Sequence, residues 1–176
     1  SHKFKVIVAG AGPGGCIFAR DLARAGIDVT VYEKGDYEKI GHNWSDAMER
    51  SALAATGFEA PFEGKVNTGP LVKSKGGAGN PTGIYEQHAY PCMEVWSPDY
   101  SSRKMVDFRY VTTDRRALGK LLIDQAKEAG AKIQFRHEVV DIILAGGKSL
   151  GEIEAKGIVV KDIETGETKS LQADIV

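Results

Sequence analysis

The run Gly10-Ala11-Gly12-Pro13-Gly14-Gly15 is the feature that most constrains what this chain can fold into. It follows an apolar stretch, Lys3 to Ala9, which reads as a strand buried on both faces. It precedes Cys16 to Ala25, whose spacing is helical, with Ala19, Leu22 and Ala23 on one face and Arg20 and Arg24 on another. Gly26 stands where that helix should stop, and Asp28 to Glu33 is a β-branched run that reads as a second strand. Strand, glycine turn, helix and strand make a βαβ unit, whose right-handed crossover leaves the two strands parallel and adjacent.

The spacing of the glycines is G-x-G-x-x-G, carried by Gly10, Gly12 and Gly15. Gly10 permits the tight turn off the strand, Gly12 lets a diphosphate approach the backbone, and Gly15 lets the helix pack closely on the strand. Pro13 and Gly14 complete the loop, and the helix start offers N–H groups and a partial positive charge to an anion. The second strand ends in Glu33, about 20 residues after Gly10, where a carboxylate accepts the ribose hydroxyls of an adenosine and repels a 2′-phosphate. These residues predict a site for the ADP part of a dinucleotide.

Composition narrows the alternatives. Among 176 residues, 23 Lys and Arg stand against 24 Asp and Glu, interspersed, so no basic stripe is available for a nucleic-acid backbone or a membrane surface. No apolar run approaches the roughly 20 residues of a spanning helix. The two cysteines, Cys16 and Cys92, have neither disulfide-scaffold nor zinc spacing. No signal-peptide pattern is seen, so a cytoplasmic setting is expected. Cys16 reads as a buried, inert thiol, and His42, His88 and His137 as surface or packing residues, since none has a partner at a recognisable spacing.

Beyond Gly35 the pattern loosens. A helix is predicted over 45–56, capped by Ser45 and stopped by Gly57, followed by Pro- and Gly-rich chain that includes a loop at 75–81. Trp44, Tyr85, Tyr90 and Trp96 lie in this part and can serve either as local core or as pocket lining. Met105 to Val111 reads as a strand. So long an excursion, about 36–110, points to an insertion that is a lid or part of a substrate region. Regularity returns with a helix over 114–129, where Asp114 is an N-terminal charge and Gly130 the stop, and with a short strand at 132–135. Three β-rich segments, 139–144, 153–161 and 170–176, are separated by Ala145-Gly146-Gly147-Lys148 and Glu164-Thr165-Gly166-Glu167, and predict an antiparallel meander. The expected class is α/β and Rossmann-like, a parallel sheet with a three-stranded antiparallel meander as crossover.

The run from Val6 to Gly15, followed by Val31-Tyr32-Glu33-Lys34, resembles the FAD-binding segment of the glutathione-reductase-like flavoproteins, and within them the branch of p-hydroxybenzoate hydroxylase, the flavin monooxygenases and the geranylgeranyl reductases. That branch usually carries a proline at the position of Pro13. Thr113 to Leu121 is similar to its Asp-Arg-x-x-Leu-x-x-x-Leu helix start, in which the arginine lies near the flavin; Arg115 is the residue carried over, with Arg116 its neighbouring alternative. The step Glu138-Val139 resembles the place where a backbone valine meets the adenine. Where geranylgeranyl reductases usually carry a Cys-Gly-Glu-type segment, this chain has Gly41-His42-Asn43-Trp44-Ser45-Asp46, and Ser45 is the candidate polar contact there.

The resemblance implies residues 3–176 as the N-terminal portion of an FAD-binding domain, with FAD held by Gly10, Gly12, Pro13, Gly14, Gly15, Glu33, Lys34, Ser45, Arg115 and Val139. NAD(P)H is the implied electron donor and a small molecule the implied substrate. It also implies an incomplete fold, because the family's Asp-Gly motif follows a strand such as Ala173 to Val176. Two other functions stay open. An NAD-dependent dehydrogenase would use the same βαβ unit but needs further βα units and a catalytic dyad; a non-catalytic nucleotide-binding fragment or subunit would act with a partner chain.

Overall fold

The computed structural model describes residues 4–41, 45–57, 84–86, 92–107, 110–147 and 149–176. In chain order the elements are β1 (Lys5–Ala9), α1 (Pro13–Arg24), β2 (Asp28–Glu33), a 3-10 turn (Tyr37–Lys39), β3 (Ser45–Glu49), α2 (Arg50–Ala55), β4 (Ile84–Glu86), β5 (Cys92–Trp96) and β6 (Arg103–Asp107). Then come β7 (Tyr110–Asp114), α3 (Arg115–Glu128), β8 (Lys132–Phe135), β9 (His137–Gly146), a second 3-10 turn (Leu150–Glu152), β10 (Ile153–Asp162) and β11 (Thr168–Gln172). They fall into two compact units, Ser1–Gly41 with Gly119–Val176, and His42–Leu118.

The first unit holds the predicted βαβ. β1 pairs in parallel with β2 from Lys5↔Asp28 to Ala9↔Tyr32, and β2 pairs in parallel with β8 from Thr30↔Lys132 to Glu33↔Phe135. On the other edge of β1, Val6 forms a parallel bridge with Ile175, and the Ile7 amide donates to the Ile175 carbonyl at 3.0 Å. The chain therefore leaves β1 to one side and returns on the other, which puts a topological switch point at the carboxyl end of β1, where open α/β sheets bind ligands.

Alternation along the strands sorts the core into two layers. Val6, Val29 and Val31, all at most 1 % exposed, share one face of the sheet. α1 packs on that face, where Gly15 approaches Val8. Ile7 points the other way and clusters with Ile158 and Val160 of β10, flanked by Tyr32, Val139 and Leu171. This second layer is the meander, order β11-β10-β9, antiparallel throughout as the turn residues predict. Fully burying one Val or Ile is worth about 1.5–3 kcal/mol, so these two layers fix the strand ends from which the loops project.

α1 and α3 are joined by Arg20, whose Nη1 donates to Gln125 Oε1 at 3.1 Å and whose Nε donates to Asp21 Oδ1 at 2.8 Å. Arg20 is 3 % exposed although Arg24, on the same helix face, is exposed. A carboxylate and an amide oxygen satisfy the guanidinium there, and periodicity alone cannot show them. The 3-10 turn docks onto α3 through Tyr37, whose hydroxyl donates to Asp124 Oδ2 at 2.8 Å while Lys120 and Lys127 approach its ring at 5.0 and 4.9 Å.

The second unit departs from expectation in two places. The helix predicted over 45–56 is strand over Ser45–Glu49 and helix only over Arg50–Ala55. β3 pairs with β7 from Ser45↔Asp114 to Glu49↔Tyr110, and this long-range ladder overrides the local capping pattern at Ser45. The strand expected over 105–111 is divided between two sheets: β6 forms a ribbon with β5, and β7 lies between β3 and β4. The glycine-rich stretch at 75–81 and residues His42, Trp44, His88 and Tyr90 lie outside the described residues.

Candidate functional site

The glycine loop turns off β1 at Gly10, whose φ of +95° is open to glycine and strained for other residues. A Cβ on Gly15 would collide with the Gly10 carbonyl oxygen, so Gly15 is required by the helix-to-turn packing itself. Gly12 and Gly14 differ. Among the described residues, an added Cβ at either meets no atom within 4 Å, and Gly12 has φ −70° and ψ 173°, which any residue adopts. Gly14 lies inside α1, where glycine costs about 1 kcal/mol against alanine. Neither the backbone nor the packing of the described residues requires glycine at these two positions. A cradle that side chains would fill is what a diphosphate needs, so the residues present fit one.

Electrostatics agree. α1 starts at Pro13, with Gly12 as its N-cap, no side chain capping it and no acidic residue in its first turn. Pro13 carries no N–H and the Cys16 amide donates to the Gly12 carbonyl at 2.9 Å, so Gly14 and Gly15 carry the N–H groups at the positive end of the helix dipole. Cys16, buried beneath the loop, donates its thiol to the Ala11 carbonyl at 3.3 Å. Burial first, then the charge of Glu33, pushes this thiol up to about 11, so it stays a neutral structural donor, as expected of an inert cysteine.

Glu33 ends β2 across from the loop. Its Oε2 accepts from the Ala11 amide at 2.8 Å and its Oε1 from the Gly35 amide at 2.7 Å. Two backbone donors thus fix the carboxylate, and each oxygen keeps a second lone pair that can accept a further hydrogen bond. Ala11 and Gly35, which hold the acid, were not singled out by the motif; the glycine directly beyond the acid's neighbour is the only sequence signal for either. Lys34 is exposed at the same strand end.

Phe135 stands opposite Glu33 in the ladder, so β9 begins at the same sheet edge. Val139 sends its side chain into the Ile7 cluster and pairs with Val160. β9 is the edge strand of the meander, and its outer backbone groups are outside the ladder. His137 has a packing role: its Nδ1 lies 2.8 Å from the Phe135 carbonyl and its ring meets Tyr32 at 6.1 Å.

The predicted site residues thus form two sets. Gly10, Gly12, Pro13, Gly14, Gly15, Glu33, Lys34 and Val139 lie in the first unit. Ser45 and Arg115 lie in the second, at one end of the β3–β7 ladder, where Ser45 pairs with Asp114 and α3 begins at Arg115. Ser45 opens a strand there, not the expected helix.

Comparison with known proteins agrees with this geometry. A family model described as an NAD(P)-binding Rossmann-like domain matches residues 8–62. A digeranylgeranylglycerophospholipid reductase of Methanocella arvoryzae is 27% identical over 154 residues, covering 85% of this chain and 34% of that protein. A geranylgeranyl bacteriochlorophyll reductase-like structure from Thermoplasma acidophilum superposes with a TM-score of 0.64 at 17% identity, over 99% of this chain and 38% of that one. The myxobacterial chondrochloren halogenase, a variant of the FAD-dependent halogenases, gives 0.61 at 19% identity, over 98% and 36%. The chain spans about a third of the length of these relatives. With its βαβ unit, switch-point glycine loop and strand-end acid, the chain has a Rossmann-like α/β fold, which it shares with the reductase-like and halogenase structures above.

Proposed function

We propose that this chain binds the ADP part of FAD within a flavin-dependent oxidoreductase. The observation that carries the reading is the pair Gly12 and Gly14, glycines that the chain does not need for itself, at the start of an uncapped helix beside a fixed carboxylate. Gly10, Gly12, Pro13, Gly14 and Gly15 would cradle the diphosphate, Glu33 the ribose hydroxyls, and Lys34 and the Val139 backbone the adenosine end. In the second unit, Ser45 and Arg115 are proposed for the flavin end, following the resemblance of the Arg115 helix start. The domain then reads as 3–176 with an insertion at about 36–110. Bound FAD would supply hydride and one-electron chemistry, which is the cofactor's own; the protein's part is to bind and orient it.

Between reduction of a substrate double bond and hydroxylation, the reductase at 27% identity supports reduction; NAD(P)H is the electron donor proposed here. Titration of the protein with FAD and, separately, with NAD⁺ tests the reading. FAD should bind the tighter, with quenched flavin fluorescence. NAD⁺ binding with no FAD binding would replace it with the dehydrogenase reading.

A further inference from the structure

The link between β8 and β9 is the single residue Arg136, at φ +61°. The left-handed region costs a side-chain-bearing residue roughly 1–2 kcal/mol, a cost that glycine at this link would avoid. The main chain of Arg136 makes two bonds: its amide donates to the Gly35 carbonyl at 3.2 Å, and its carbonyl accepts from the Ile163 amide at 2.9 Å. A glycine would make both equally well. Its guanidinium does what a glycine cannot. Nη1 lies 2.7 Å from Glu164 Oε1, in the β10–β11 turn, and Nε lies 3.5 Å from Asp36 Oδ1, in the loop after β2.

The loop so clasped carries Gly35, whose amide holds Oε1 of Glu33 at 2.7 Å. We propose that Arg136 is a positioning residue for the ribose acid: it ties the 34–36 loop to the meander turn, and thereby holds the amide that orients the Glu33 carboxylate. The inference rests on the nucleotide-binding reading of Glu33. The guanidinium is 51% exposed, and ion pairs this exposed are worth little to stability. Its contribution is geometric, joining two loops that belong to different layers.

Binding of ADP and of 2′-deoxy-ADP to the full chain, measured by calorimetry, tests this. The wild type should prefer ADP, and Glu33→Gln should remove that preference. Arg136→Gly keeps the main-chain bonds and relieves the φ strain, so its thermal midpoint should hold or rise while the preference for ADP falls by about three- to tenfold. Glu164→Gln, on the exposed turn, should shift the preference the same way and less. The double variant Glu33→Gln with Arg136→Gly should discriminate no worse than Glu33→Gln alone. A preference that Glu33→Gln removes and Arg136→Gly leaves whole, or additive losses in the double variant, would overturn the positioning role and leave the nucleotide reading standing. No ADP binding by the wild type would overturn the nucleotide reading, and this inference with it.

Discussion

At the end of β9, a Cβ on Gly146 would run into the Glu152 carbonyl and one on Gly147 into the Glu152 carboxylate, and Gly146 also sits at φ +117°. At the end of β1, a Cβ on Gly12 or Gly14 would meet no atom of the described residues within 4 Å. Both turns are glycine-rich and both follow a strand. At Gly146 the clash is with backbone and the fold itself excludes a side chain, whereas Gly147 meets only the end of a flexible carboxylate. In the β1–α1 loop the described residues leave room over Gly12 and Gly14, and that room is what the proposed diphosphate would take. Gly15 shows that the two demands sit side by side, since its Cβ would meet the Gly10 carbonyl.

The sharpest way to break this comparison is Gly15→Val. Overpacking against backbone should destabilise the chain by about 3 kcal/mol or more, read from the denaturant midpoint; an unchanged midpoint would remove the structural half of the contrast. Glu33→Gln comes next: the loss of one charged acceptor should weaken ADP binding by roughly 10- to 100-fold, measured by calorimetry. Gly14→Ala sharpens it from the other side. It should raise stability by about 0.5–1 kcal/mol, because the helix gains propensity in open space, while ADP binding weakens.

The smallest effect concerns the brace of the loop beyond β2. Burial first, then its bond to the Asp124 carboxylate, pushes the Tyr37 hydroxyl up to about 12. Its folded value lies above the unfolded one near 10, so the contribution is whole below pH 10 and is lost as pH rises toward 12. Tyr37→Phe should remove that part of the alkaline fall in stability, seen as a shallower change of the thermal midpoint between pH 10 and 12.

Much of the first unit was legible in the sequence because its signals are local. The β1–α1–β2 unit, α3, β8 and the meander follow from apolar runs and periodic faces bounded by turn glycines. The Asp28–Glu33 strand matches residue for residue. What escaped depends on partners distant in sequence. Ser45–Glu49 takes its strand conformation from β7, more than 60 residues on. Arg20 is buried because Gln125 lies across from it. Of the site, the glycines and Glu33 were readable as a motif. The amides of Ala11 and Gly35 that fix the acid, and the clasp at Arg136, have no spacing rule to announce them.

The central claim is that the space above Gly12 belongs to a diphosphate. ADP titration of the wild type and of Gly12→Val, alongside their denaturant midpoints, tests it most directly. The account predicts that Gly12→Val costs about 1 kcal/mol, as a branched residue at an N-cap does, so that both chains stay folded and only the wild type binds ADP. Equal ADP binding by both would contradict it.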